Sequence, residues 1–369
     1  MPMVDPHVRG HNGRPGIAGG VSANGHRFRA LAWFALAGLY AIFARHLAAQ
    51  FAFAIAVGPF LPLVQRLFFV CLLVAGFLGM SALSQRSVAP LTGLGLPVRP
   101  GLLREWSLGA VLGWAAIVCC VLPIALYGGL LVTGGRVNPG ALGALLVDLA
   151  TLLLAALSDE LLFRGYPFER AMEGAGTTAA TILLSLLFAL SRSTNVGASP
   201  GSLLVALLLG FLLAMVYLRT RALWVGWGFH FAWIGSMALL FGLPVSGLTG
   251  FSPLWTTYTS GPAWLTGGGF GPEGSAVAIL VLLGMLVVAA IATRELRHRW
   301  GLKEIVGAGI PMDVDAAAER QHTAAMGPTA AQPLAGTHLV QIGPAVGSSL
   351  LPGTPVVDPD REDHDHSSF

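Results

Sequence analysis

Charge is what this chain has least of. Asp, Glu, Lys and Arg supply 11% of its 369 residues and hydrophobic residues 54%, whereas an ordinary soluble domain is about 25% charged. A water-exposed globule of this size could not cover its surface with so few charges. In lipid the same scarcity is required, because each ionised group at the bilayer centre costs several kcal/mol. The net charge of +3 does not point to nucleic acid, because the basic residues fall in small groups between apolar runs, as topology signals do.

Other absences narrow the reading. Cysteine occurs three times, at Cys71, Cys119 and Cys120, each within an apolar run. The adjacent pair points to different faces of a helix, so no disulfide framework is expected and the three read as small buried hydrophobes. The stretch Met1–Gly25 is polar and Gly-rich, without the apolar core of a cleavable signal peptide. The chain has no His-Glu-x-x-His helix, no Gly-x-Ser-x-Gly elbow and no Walker lysine motif. Nor does it show an internal repeat of the kind transporters carry.

What is present is a series of long apolar runs. Measured against the roughly 20 residues that span a hydrocarbon core, they predict spans near 30–50, 64–84, 107–132, 141–166, 177–192, 201–218, 222–243 and 276–293. The expected fold is all-α, a polytopic transmembrane bundle of about eight spans around a polar intramembrane site. Residues 1–29 read as a flexible cytoplasmic segment, 30–293 as the transmembrane domain, and 294–369 as a largely disordered cytoplasmic tail with scattered histidines. Arginine groups flank alternate loops, and 244–275 carries no Lys or Arg. An even number of spans with both ends cytoplasmic satisfies that pattern, in a bacterial inner membrane by preference.

The polar residues inside the apolar runs are the functional candidates. Ser158-Asp159-Glu160-Leu161-Leu162-Phe163-Arg164-Gly165 follows directly on an apolar helix. Glu160 and Arg164 are spaced i,i+4 in the favourable acid-before-base order, while Asp159 points about 100° away and needs another partner. A plain ion pair at a helix end is the structural alternative. His230 lies inside the seventh run, and Arg192 ends the fifth, either snorkelling to an interface or serving the acids of the fourth. Of the histidines, only His46 and His230 lie in or beside the membrane core.

These residues together resemble the CPBP family, the CAAX proteases and bacteriocin-processing enzymes also called Abi proteins. Asp159-Glu160-x-x-x-Arg164-Gly165, Phe188-x-x-x-Arg192 and His230-x-x-x-Ile234 stand where the family has Glu-Glu-x-x-x-Arg, Phe-x-x-x-His and His-x-x-x-Asn, and the likeness extends over about 90–245. The resemblance implies a helical membrane bundle enclosing a cavity, and an intramembrane endopeptidase acting on membrane-associated or prenylated peptides. It implies that Asp159 and Glu160 supply the base that activates water, that Arg164 orients them, and that the positions of Arg192 and His230 complete the site. It also raises a divalent metal, zinc, against which the single motif histidine weighs.

Three departures qualify that expectation. Asp159 is one methylene short of the family glutamate. Arg192 can neither ligate a metal nor accept a proton, and Ile234 removes a polar partner. Arg164 and Arg192 are therefore expected to pair with the two acids in a locally neutral cluster, giving a catalytically silent relative that binds membrane peptides. A depth ruler opposes this pairing, setting Glu160 near the inner face and Arg192 near the outer. A transporter or channel built on the same cluster is the third reading.

Overall fold

Backbone amides in a bilayer have no water to bond, so apolar runs satisfy themselves as helices. The computed structural model describes residues 18–85, 91–135 and 138–300. The expectations for the first 17 residues and for the tail from 301 onward fall outside the described residues.

The main helices are α1 (Ala18–Ile55), α2 (Phe60–Gln85), α3 (Leu102–Leu126), α4 (Pro139–Arg164), α5 (Tyr166–Ala175), α6 (Thr177–Leu190), α7 (Pro200–Thr220) and α8 (Trp224–Gly235). A single turn α9 (Ala263–Thr266), then α10 (Ala276–Ala292) and α11 (Arg294–Trp300), complete the described chain. Each of the eight expected apolar runs contains a helix, and the molecule is an all-α polytopic membrane bundle. Among the described residues five helices are long and apolar enough to cross a bilayer, and a sixth if α10 and α11, bent by 56°, count as one span. At 14 residues α6 is shorter, about 21 Å against a hydrocarbon core of about 30 Å. Side chains such as Ile42, Phe43, Leu280 and Ile291 face outward, as lipid contact demands.

Several boundaries differ from expectation. The first helix begins at Ala18, so residues 18–29 are helical where a flexible segment was expected. Its early turns pack on α5: a Cβ on Gly174 would stand 3.3 Å from the Arg27 carbonyl oxygen and 2.6 Å from Leu31. At the other end, residues 294–300 form α11 instead of opening the tail. The third run stops at Leu126, because Gly128 takes φ 77° and Ser260 N–H donates to the Gly129 carbonyl at 2.7 Å. Residues beyond it form β1 (Leu130–Gly135), antiparallel to β2 (Trp255–Thr259), with a register shift between Val132 and Gly134. Hydropathy alone cannot separate this apolar strand from the last turn of a helix. Of the cysteines, Cys120 is buried as expected, but Cys71 and Cys119 are exposed.

The fourth run departs most consequentially. Its helical path continues beyond Arg164 through a bend at Gly165 to Ala175, 37 residues in all. A Cβ on Gly165 would lie 2.4 Å from the Leu161 carbonyl oxygen, so only glycine permits that bend. The residues between the expected spans, 167–176, are thus helix instead of loop, and the reversal into α6 falls at Gly176.

Helix α8 is held against α3 by backbone contact. A Cβ on Gly109 would meet the Val225 carbonyl oxygen at 1.9 Å, one on Gly113 that of Phe229 at 2.2 Å, and one on Gly228 that of Trp106 at 2.0 Å. This small-residue packing replaces the hydrophobic drive that lipid abolishes. Gly109→Ala is expected to destabilise the protein by about 2–3 kcal/mol through overpacking against rigid backbone. Gly79→Ala, where nothing lies within 4 Å, should be neutral or slightly stabilising. Thermal unfolding in detergent compares the two, and equal effects would refute the packing account.

Candidate functional site

The bend at Gly165 decides what the acids of α4 can reach. Asp159 stands 17 residues before Gly176 and Arg192 stands 16 after it, each about 25 Å from the reversal at 1.5 Å per helical residue. The two are therefore level. The depth objection took the membrane-spanning part of this helix to end at residue 166, ten residues before the reversal.

Asp159 and Arg192 form an ion pair, with guanidinium Nη2 donating to Oδ2 at 2.5 Å and their side chains 18% and 21% exposed. Arg192 is presented by the turn that ends α6, where its N–H donates to the Ala189 carbonyl and Ser191 Oγ donates to that of Phe188.

Glu160 lies deeper, 1% exposed. Its Oε1 accepts from Arg164 Nη1 at 3.2 Å and lies 3.1 Å from His230 Nδ1. Its Oε2 would be 3.0 Å from a Cβ on Gly226, so that glycine gives the carboxylate its space. Arg164 also donates to the Gly210 carbonyl of α7 at 3.3 Å. The Phe188 ring is shared by the two halves of the cluster: Arg164 lies 4.6 Å from its centroid, Arg192 4.9 Å, and the His230 ring packs edge-on at 5.8 Å. The predicted residues Asp159, Glu160, Arg164, Arg192 and His230 are thus brought into one cluster, divided into an Asp159–Arg192 pair and a Glu160–Arg164–His230 triad.

Ile234 brings no polar group to the cluster. It lines a neighbouring cavity of about 20 Å³ with Arg192, His230, Trp233, Ser246 and Glu273, room for about one water molecule. Glu273, 5% exposed, was missed by the sequence reading. It accepts from Trp233 Nε1 at 2.9 Å and from Ser246 Oγ. A lone acid late in a long segment without Lys or Arg was the available signal. The same cavity is roofed by irregular chain, with Asn195 Nδ2 donating to the Ser246 carbonyl at 2.8 Å and Gly247 N–H to that of Phe270 at 2.9 Å. Arg66 of α2 was also passed over, although it lies within electrostatic reach of Asp159 and Arg192.

A structural or catalytic zinc needs three or four nitrogen, sulfur or carboxylate ligands. Among the described residues no group of three such side chains converges to hold a metal ion. Asp159 is committed to Arg192, which stands at the histidine position of the second motif. The donor set does not fit a metal.

Residues 141–235 match the family model for Type II CAAX prenyl endopeptidase Rce1-like proteins. The matched segment runs from the start of α4 to the end of α8 and contains every motif residue named above. The CPBP and CAAX-protease resemblance is therefore shown over this segment, and the chain is an integral membrane protein with a CAAX-protease-like core. No curated protein and no solved structure matches it.

Removing either partner of a buried ion pair leaves an uncompensated charge and costs about 3–5 kcal/mol. With a fifth of each side chain exposed here, Asp159→Asn and Arg192→Gln should each cost about 2–3 kcal/mol. The double variant should cost clearly less than their sum, with a coupling of about 1–2 kcal/mol. Denaturation of the purified variants measures this cycle, and strict additivity would mean that the pair contributes nothing.

Proposed function

We propose that this protein is a catalytically silent relative of the CAAX-type intramembrane endopeptidases, which engages membrane-associated or lipidated peptides without cutting them. The observation that carries this reading is the Arg192 guanidinium on Asp159 at 2.5 Å. In a hydrolytic site of this type the paired acids would hold and deprotonate a water. Here one acid is neutralised by a fixed cation that can accept no proton. The other shares a single oxygen between Arg164 and His230. The adjoining cavity of about 20 Å³ holds about one water and cannot admit a peptide unit alongside it. Ile234 in place of the family asparagine removes a donor whose loss typically costs about 10²–10³ in rate.

Peptide engagement has a separate surface. An apolar cavity of about 440 Å³ opens between α3, α4 and α8, lined by Trp114, Leu145, Leu149 and Phe231 among others. On this reading the protein sits in a bacterial inner membrane with both termini cytoplasmic, the orientation that the arginine groups favour.

A second reading rests on the 3.1 Å contact between His230 and Glu160. A carboxylate and an imidazole beside a one-water cavity form the minimal parts of a general base, and would support slow endopeptidase activity. One assay separates the two. The purified full chain in liposomes is given prenylated CAAX peptides and generic transmembrane peptides, and both binding and cleavage are measured. Binding without cleavage is expected. Cleavage is expected to appear in the double variant Arg192→His, Ile234→Asn, and to vanish when Glu160→Ala is added. Cleavage by the parent protein that Glu160→Ala abolishes would overturn the silent reading in favour of the second.

A further inference from the structure

Helices α1 and α2 carry two arginines inside their apolar runs that the motif cluster does not use. Arg45 is exposed and Arg66 half-buried. Neither forms an ion pair among the described residues. Their heights can be fixed from contacts along the hairpin. Tyr40 Oη donates to the Leu72 carbonyl at 2.6 Å, and the Phe51 and Phe68 rings stack at 5.6 Å. Arg45 lies between these two contacts, level with about residue 71 of α2. The far end of α4 is registered to α2 by Tyr166, whose ring lies 5.9 Å from Phe77 and whose hydroxyl meets Ser84 Oγ at 3.0 Å. Asp159 is seven residues before Tyr166, about 10 Å along the helix, which sets it level with about residue 73. Arg66 is then about 10 Å further along.

Asp159 is in contact with Arg192, and Arg66 lies within electrostatic reach of both and of Arg45. The remaining nearby acid, Glu273, faces Arg192 from across the small cavity, and Glu160 is committed to Arg164 and His230. The cluster keeps an excess of positive charge inside an apolar bundle, where uncompensated cations are costly.

We propose that Arg45 and Arg66 form a binding site for a phosphate-type anion, presented by the head group of an anionic membrane lipid. The surroundings favour the lipid over a soluble anion. Ile42 is 71% exposed and Phe43 60%, just before Arg45, and Leu67 is 47% exposed beside Arg66, so the mouth of the site is apolar and opens towards acyl chains. Arg66 is six residues from the start of α2 and Arg45 ten from the end of α1, about 9 and 15 Å from the hairpin tip. Arg66 thus lies in the leaflet at the hairpin tip of a hydrocarbon core about 30 Å thick, and Arg45 near its middle. An arginine at the depth of Arg66 extends towards the head groups, where guanidinium and phosphate pair in fork geometry. This site is independent of whether the motif cluster cleaves peptides.

The test uses the purified full chain in a neutral detergent, titrated with phosphatidylglycerol, phosphatidylcholine or inorganic phosphate. Thermal unfolding and native mass spectrometry provide the readouts. Saturating phosphatidylglycerol is expected to raise the melting temperature by about 5 °C and to leave one retained lipid adduct. Phosphatidylcholine and inorganic phosphate should do neither. The double variant Arg45→Gln, Arg66→Gln should lose both effects, whereas Arg45→Lys, Arg66→Lys should keep a large part of each and so separate charge loss from misfolding. Equal responses to the two lipids, an unchanged response in the glutamine variant, or an equal shift with inorganic phosphate would each overturn the proposal.

Discussion

A charge placed within a lipid-facing bundle must find a partner inside the protein, and that constraint organises the centre of this molecule. Asp159 and Glu160 are adjacent on α4 yet point in different directions, so one partner cannot serve both. Arg164, one turn on, meets Glu160. Asp159 requires a cation from elsewhere, and the turn after α6 supplies Arg192. The elements that deliver these partners, the bend at Gly165, the reversal at Gly176 and the early end of α6, follow from that need to meet at one height.

The geometry also explains why the motif substitutions belong together. A shorter acid at position 159 leaves room for the bulk of a guanidinium, and Arg192 fills the place where the family has an imidazole. Phe188 lies against both guanidinium groups, so one aromatic face serves the two halves of the cluster. Ile234 then lines a small cavity beside His230 and Glu273. Each change is tolerable because the others are present.

Much of this was legible in the sequence. The apolar runs located the helices, and the i,i+4 spacing of Glu160 and Arg164 gave their pairing without a structure. The heights of Asp159 and Arg192 were misjudged, because a glycine after Arg164 reads as a helix end when it is in fact a tight bend within a longer helical path. The apolar residues of β1 follow closely on Gly128 and Gly129, and a hydropathy ruler, which weighs glycine as neutral, ran on through them. Glu273 lay in a segment without periodicity, and its role depends on chain folding back over α8, which no local pattern encodes. Arg66 was visible as a charge in an apolar run, but its proximity to Asp159 depends on how α2 packs beside α4.

The glycine contacts between α3 and α8 bear on how such a bundle could open. With carbonyl oxygens seated where side chains would otherwise be, neither helix can slide or roll against the other without backbone collision. The two behave as a single plate carrying His230 and Trp233. Any breathing that lets a guest approach the cluster must therefore displace the plate as a whole, or swing α6 and its arginine away from it about the glycine at residue 176.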